Sequence, residues 1–334
     1  MSNKSMSNKS VSNQTMNSKA KAYMQGEHAA AIAELGWFGA HKYLLLRRAV
    51  QLGLLGLFAL GPLLGIWLFK GNLSASLLLD TIPFADPLVS LQMLLSGHIP
   101  ELSLLIGAAL VILFYALAGG RVFCSWVCPV NLVTDTASWL RRKLNLPRTS
   151  ELPRNLRYYL LALVLLLPLL TGSLIWEWVN PVPLVYRAVL FGSLSSLWIL
   201  AAIFLLDLFI AERAWCGHLC PTGALFGLVG KWSPIKIVAS KASACDNCMD
   251  CFAVCPERQV LKPALKGQNP VISSPDCTQC GRCIDVCAQR IFRYQTRFTA
   301  SQAQLSTGDS TDSQSPLISS PIRQHIAPKA ENDQ

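Results

Sequence analysis

Every one of the twelve cysteines in this 334-residue chain falls into one of four regular patterns. Two are full runs: Cys245-x2-Cys248-x2-Cys251-x3-Cys255 followed by Pro256, and Cys277-x2-Cys280-x2-Cys283-x3-Cys287. Two are shorter, C-x3-C-P at Cys124/Cys128/Pro129 and at Cys216/Cys220/Pro221. The long runs carry the spacing by which bacterial ferredoxins bind a [4Fe–4S] cubane. Residues 241–297 are therefore expected to form a small α+β module holding two such clusters. In two-cluster ferredoxins the fourth cysteine of each run crosses to the other cluster. Applied here, cluster 1 takes Cys245, Cys248, Cys251 and Cys287, and cluster 2 takes Cys277, Cys280, Cys283 and Cys255. Pro256 follows the ferredoxin pattern, whereas Ala288 stands where a second proline is usual. That change touches a turn and leaves ligation intact.

Two other uses of so many thiols fit less well. A disulfide framework needs an oxidising compartment, and the charge distribution places all twelve cysteines on the cytoplasmic side. Zinc sites separate two close cysteine pairs by a longer spacer; four thiols at x2, x2, x3 wrap a cubane instead.

The rest of the chain is not that of a soluble protein. Hydrophobic residues make up 52% and charged residues 14%, against about 25% charged in soluble domains. Four stretches are apolar enough to cross about 30 Å of hydrocarbon: Ala49–Phe69, Leu102–Gly120, Tyr158–Trp176 and Ala188–Leu206. The net charge of +10 is unevenly placed. Lys42, Arg47 and Arg48 precede the first stretch, and Arg121, Arg141, Arg142, Lys143, Arg148, Arg154 and Arg157 separate the second from the third. Basic residues that bracket apolar segments argue for membrane orientation rather than nucleic acid, and place both termini in the cytoplasm. Arg47-Arg48 reads as a helix flank, not as an export signal.

The membrane part reads as duplicated. Arg121-Val-Phe-Cys124-Ser-Trp-Val-Cys128-Pro129 follows the second stretch, and Arg213-Ala-Trp-Cys216-Gly-His-Leu-Cys220-Pro221 follows the fourth. Two hairpins ending alike suggest an internal repeat that brings the thiol pairs together. Three readings of these thiols compete: ligands of a shared metal centre, redox-active or partner-coupling thiols, and structural thiols. The balance of the sequence favours redox or coupling thiols, with the catalytic residues unassigned. His28, His41, His98, His218 and His325 all lie outside the four stretches, so no haem is expected in the bundle. His218 could tune nearby thiols or simply face the surface. The outer segments, with Asp80, Asp86 and His98 in one and Trp176-Glu177-Trp178-Val179-Asn180-Pro181 in the other, read as interfacial loops with an aromatic belt. Asp207 at the inner end of the fourth stretch has no assigned role.

The expected architecture is an α-helical integral membrane protein with four transmembrane helices in a duplicated hairpin and a C-terminal two-cluster ferredoxin-like module. Its domains run 1–42 (disordered cytoplasmic tail), 43–240 (membrane), 241–297 (module) and 298–334 (disordered tail). From about Gly36 to Phe298 the chain closely resembles the NapH-type ferredoxin subunits, on ALAGGRVFCSWVCPVNLVTD, GSLIWEWVNP, WCGHLCPTGALFG, CDNCMDCFAVCPE and CTQCGRCIDVC in that order. The resemblance implies a quinol dehydrogenase component rather than a stand-alone enzyme, in the bacterial inner membrane, passing electrons from quinol towards periplasmic nitrate reductase. It also implies two partners: a periplasmic iron–sulfur protein and a membrane-anchored multihaem cytochrome c. The alternatives are a polyferredoxin maturation or metal-reducing factor, and a redox sensor or scaffold.

Overall fold

The computed structural model describes residues 29–298, apart from 73, 145, 147–151, 267 and 268. The polar repeat expected as a tail near the N-terminus and the Ser-, Gln- and Pro-rich C-terminal stretch lie outside the described residues. Within 1–42, however, the chain is already helical from Ala29. Alanine-rich AAAIAELGWFGA is a strong helix former, and it makes α1 (Ala29–Ala40), interrupted at Gly36 (φ 71°). Helix α2 (Lys42–Leu64) follows and ends at Gly65, which is left-handed and donates to the Gly61 carbonyl at 2.9 Å. The first apolar stretch is thus helical earlier than expected and stops short of Phe69. His41 sits at the α1–α2 junction, its ring 2.9 Å from the Trp37 carbonyl.

Among the described residues, Ala30–Leu64 is the one helix long and apolar enough to cross a membrane. Three more apolar helices are shorter: α4 (Leu102–Ala118), α6 (Leu156–Thr171), and Ser196–Ile210, which comprises most of α9 (Leu194–Leu205) and a following π turn. At 1.5 Å per residue α4 and α6 measure about 24–26 Å. The fourth stretch, read as continuous over Ala188–Leu206, is broken. Helix α8 (Pro181–Phe191) closes on left-handed Gly192, whose N–H caps the Ala188 carbonyl, the usual way for glycine to end a helix.

The ends of the long helices alternate. The N-terminus of α2, the C-terminus of α4, the N-terminus of α6 and the C-terminal extension of α9 all meet the cysteine-rich module. Asp285 of the module accepts the first-turn N–H groups of Tyr43 and Leu44 at 3.1 and 3.0 Å, satisfying donors that a helix start leaves open. The α4 end makes a glycine crossing: a Cβ on Gly120 (φ 47°) would lie 2.1 Å from the Phe226 carbonyl oxygen and 2.5 Å from Gly230 Cα.

The opposite ends are covered by a layer of short strands and helices where the sequence predicts interfacial loops. Strands β1 (Phe69–Gly71), β2 (Ala75–Leu78) and β3 (Ile82–Ala85) form an antiparallel sheet in sequence order. Helix α3 (Pro87–Leu95) and the short α7 (Ile175–Val179) and α8 then turn back into the bundle. Asp86 caps α3 by accepting from Leu88 N at 2.9 Å, and Asn180 caps α8 by accepting from Val182 N at 3.2 Å. Each cap is followed by proline at the first helical position, the favoured helix start. The duplication therefore extends to these inward-turning helices. Leu88 and Trp176 are buried together against Leu161 and Ala224.

The module is closed by β4 (Ile235–Ala239) pairing antiparallel with β5 (Phe292–Thr296), Ile237 opposite Tyr294. It thus begins before residue 241, because its last strand needs its first as partner. Its core is Ile237, Val260, Leu261, Ile272 and Phe292 packed with Cys251, Cys283 and Cys287.

Candidate metal centres

The two cysteine runs adopt matching loops. In the first, Asn247 (φ 58°) and Met249 (φ 68°) are left-handed; in the second, Gln279 (φ 49°) and Gly281 (φ 74°) occupy the corresponding places. Three of the four are not glycine, and each costs on the order of 1 kcal/mol in that region. The loops turn backbone N–H groups onto the sulfurs two residues back: Asp250 to Cys248, Glu257 to Cys255, Gln279 to Cys277 and Arg282 to Cys280. Inward N–H nests of this kind suit anionic iron–sulfur cores.

The thiols gather as two groups. Cys255, Cys277, Cys280 and Cys283 line one cavity, while Cys251 interacts with Cys248, Cys245 and Cys287. Among the described residues, no three His, Cys, Asp or Glu side chains converge closely enough for a single metal ion. Burial pushes Cys251 up to about 12 and Cys277 up to about 11. For Cys280 burial also raises the pKa, but Arg282 and Arg47 outweigh it and the thiol is lowered. Arg47 is fully buried, and none of its three guanidinium nitrogens has a hydrogen-bond partner among the described residues. A buried cation of that kind demands a neighbouring anion, which an iron–sulfur cluster held by Cys280 would supply.

The two C-x3-C-P motifs fold alike. Phe123–Val127 and Trp215–Leu219 each form a single π turn. Cys128 N donates to Phe123 O, and Cys220 N to Trp215 O, both at 2.9 Å. Cys128 (φ −61°, ψ 119°) and Cys220 (φ −70°, ψ 112°) are extended, as is Cys255 (φ −71°, ψ 125°), which ends the C-x3-C-P inside the first ferredoxin run. All four thiols line one apolar cavity with Asn180, Val182, Trp215 and Thr222. Burial pushes Cys128 and Cys216 well above the ordinary thiol range and Cys220 up to about 12.

This cavity lies against the module. Ser125 Oγ donates to Thr278 O at 2.8 Å and Trp126 Nε1 to Gln279 O at 3.0 Å. Residues between Cys124 and Cys128 thereby grip those between Cys277 and Cys280. Buried Arg121 donates to Asp276 O at 2.8 Å and to Cys216 O at 2.9 Å, and Arg157 pairs with Asp276.

Asp135 on α5 (Val130–Lys143) is the junction's hub. It is buried and pairs with Arg48 of α2 at 2.5 Å, with Arg213 beside the second motif, and with Arg282 of the module. In the sequence Arg48, Arg121, Arg157 and Arg213 act only as topology markers, and no local pattern singles out Asp135, Asp276 or Glu257. Asp207, left without a role, is fully buried and accepts from Trp215 N at 3.0 Å, anchoring the second motif. Asn180, read as part of an outer loop, is fully buried at the thiol cavity. His218 is half-buried, its pKa lowered by burial against the opposing charge of Glu257.

Comparison with known proteins agrees with this layout. A 4Fe-4S binding domain model matches twice, at residues 101–147 and 193–239, and a 4Fe-4S dicluster domain model matches residues 237–288. The chain is 52% identical to the ferredoxin-type protein NapH of Haemophilus influenzae over 79% of its own length and 93% of that relative. It is 48% identical to NapH of Escherichia coli K12, covering 81% of this chain and 95% of the relative. It is 47% identical to the methylamine utilization ferredoxin-type protein MauN of Methylorubrum extorquens, over 80% and 94%. No solved structure matches.

Proposed function

The chain belongs to the family of NapH- and MauN-type ferredoxin proteins, and from that premise we propose that it is the membrane-embedded, quinol-oxidising subunit of a periplasmic nitrate reductase system. It is an iron–sulfur electron-transfer protein. In the proposed topology Ala30–Leu64 and the three shorter apolar helices cross the bacterial inner membrane, with both termini and the module on the cytoplasmic side. The observation that carries this reading is the alternation of helix ends against one module. It is supported by the bundle's outer surface, where Leu113, Phe114, Leu170 and Trp198 are 58%, 61%, 73% and 75% exposed. Large apolar side chains this exposed on apolar helices belong in lipid. Arg141, Arg142 and Lys143 in the last turn of α5 lie on the module side, as positive-inside placement requires.

Cluster 1 is assigned to Cys245, Cys248, Cys251 and Cys287, and cluster 2 to Cys277, Cys280, Cys283 and Cys255. Quinol oxidation releases two electrons and two protons, and each cluster carries one electron at a time. Net charge around a cluster sets its potential. Asp246 and Asp250 lie by Cys248 of cluster 1, while Arg47 and Arg282 lie by Cys280 of cluster 2. Cluster 2, beside the membrane domain, is thus the easier to reduce and the place where an electron rests. The expected downstream partners are a periplasmic iron–sulfur protein and a membrane-anchored multihaem cytochrome c.

The similarity to MauN supports one second reading, in which the same quinol-linked unit serves a methylamine-utilizing system. Deleting the gene in its host separates the two. Nitrate-dependent quinol oxidation by membranes should fall at least about tenfold and return with the wild-type gene. Unchanged nitrate-dependent oxidation, with loss of methylamine-dependent growth, would overturn the first reading in favour of the second.

A further inference from the structure

Four thiols remain outside the two assigned clusters. We propose that Cys124, Cys128, Cys216 and Cys220 together hold a third iron–sulfur cluster, one per chain, shared between the two halves of the internal repeat.

Neither half can hold a cluster alone. The two matched membrane segments, 101–147 and 193–239, contain only Cys124 with Cys128 and Cys216 with Cys220 respectively, whereas a cluster of either common type takes four thiolates. The fold makes up the shortfall by bringing the halves face to face. All four thiols line a single cavity, and every pair among them is close enough to interact: Cys128 with Cys124 and Cys220, Cys216 with the other three, and Cys220 with Cys124. As in the ferredoxin runs, no three His, Cys, Asp or Glu side chains among the described residues converge on a single-ion geometry here.

The backbone around these thiols also follows the ferredoxin pattern. Val130 N–H is directed at Cys128 sulfur and Thr222 N–H at Cys220 sulfur, each two residues on, as Glu257 N–H is at Cys255. A second N–H, from Gly223, reaches Cys220 Sγ at 3.4 Å. Three helices begin at the cavity: α5 after Cys128-Pro129, α10 (Pro221–Val229) after Cys220, and α8 at Asn180. Their positive ends favour negative charge there, and none of the side chains lining the cavity carries a fixed negative charge.

Independent evidence comes from donors left without acceptors. Thr222 is 3% exposed and its Oγ1 has no hydrogen-bond partner among the described residues; neither has Trp215 Nε1. Both residues line the cavity. Buried donors without acceptors are costly, and the sulfides and thiolates of a cluster are acceptors.

The site abuts cluster 2 across the Ser125–Thr278 and Trp126–Gln279 contacts, with Arg121 spanning from Asp276 to Cys216. The third cluster is therefore a relay between the module and the bundle. Each step moves one electron from one cluster to the other and transfers no atom. The proposal concerns ligands and position, and holds whichever quinol or terminal enzyme the protein serves.

The test is iron and acid-labile sulfide per chain, with Mössbauer spectroscopy, on the full-length protein purified anaerobically in detergent. About twelve irons are expected if the shared cluster is a cubane and about ten if it is [2Fe–2S]. Cys124→Ser and Cys216→Ser, one from each half, should lose the same number of irons while both ferredoxin-type EPR signals persist. Eight irons in the wild type and in both variants would overturn the proposal. Should a variant fail to accumulate, native alkylation of the wild type decides the matter. Protection of the four thiols until iron is chelated is expected, and their free modification in a chain retaining eight irons would overturn it.

Discussion

Asp135→Asn is expected to destabilise the protein by about 3–5 kcal/mol, the usual cost of removing one partner from a buried ion pair. Asp135 is the counter-charge of Arg48, Arg213 and Arg282, so its loss leaves three guanidiniums crowded at the seam between bundle and module. The variant should melt at lower denaturant and release the module to proteolysis first, whereas Asp135→Glu should recover part of the loss. Burial alone would raise the Asp135 carboxyl, but Arg213, Arg282 and Arg48 hold it well below the usual carboxylate range. A group depressed on folding contributes fully above its unfolded pKa, about 3.9 for aspartate, and loses that contribution as the pH falls towards its native value. The gap between wild type and Asp135→Asn should therefore narrow below about pH 4. A variant as stable as wild type at neutral pH would show that the seam is held by other contacts.

The second large effect concerns crossed ligation, and non-additivity reveals it. Cys287 lies in the second run but sits with Cys245, Cys248 and Cys251. The double variant Cys245→Ala/Cys287→Ala should lose about four irons, no more than either single variant. Cys255→Ala/Cys287→Ala should lose about eight, although one cysteine comes from each run just as in the first pair. Because Cys251, Cys283 and Cys287 are part of the module's core, and a module this small has little other core, the second double variant should also unfold it. Loss of eight irons from Cys245→Ala/Cys287→Ala would mean that each run holds its own cluster.

What the sequence made legible was what is local. Two C-x2-C-x2-C-x3-C runs mark the cysteine-bearing loops of a small module, and the matching left-handed positions at 247/279 and 249/281 repeat with that spacing; the strand that closes the module, β4, lies before the runs and was not legible from them. The repeat was legible too, because Arg121-x2-Cys124 and Arg213-x2-Cys216 announce it directly. The inward-turning helices were missed although their signal was present: Asp86-Pro87 and Asn180-Pro181 are both helix starts. Apolar flanks and tryptophans drew those segments to the interface instead, yet Trp176 is buried and only Trp178 is open, at 83%. Asp135 was not legible in principle. Its three arginines lie 87, 78 and 147 residues away, and no local pattern separates it from any acid on an amphipathic helix. Arg47 was hidden in the same way, since a basic pair before an apolar run reads as a flank until burial shows that one of the two lies beside Cys280.

The central claim is that this chain's iron–sulfur clusters exchange electrons with the membrane quinone pool. It is tested most directly by reducing the purified protein with dithionite in liposomes and adding a menaquinone or ubiquinone analogue while following the cluster EPR signals. The same protein with its clusters oxidised, given the corresponding quinol, covers the opposite direction, because cluster potentials span both sides of a quinone couple. In at least one direction the cluster signals should change, at one quinol formed or consumed per two electrons. Clusters that change in neither direction, in a protein with its full iron content, would contradict the account.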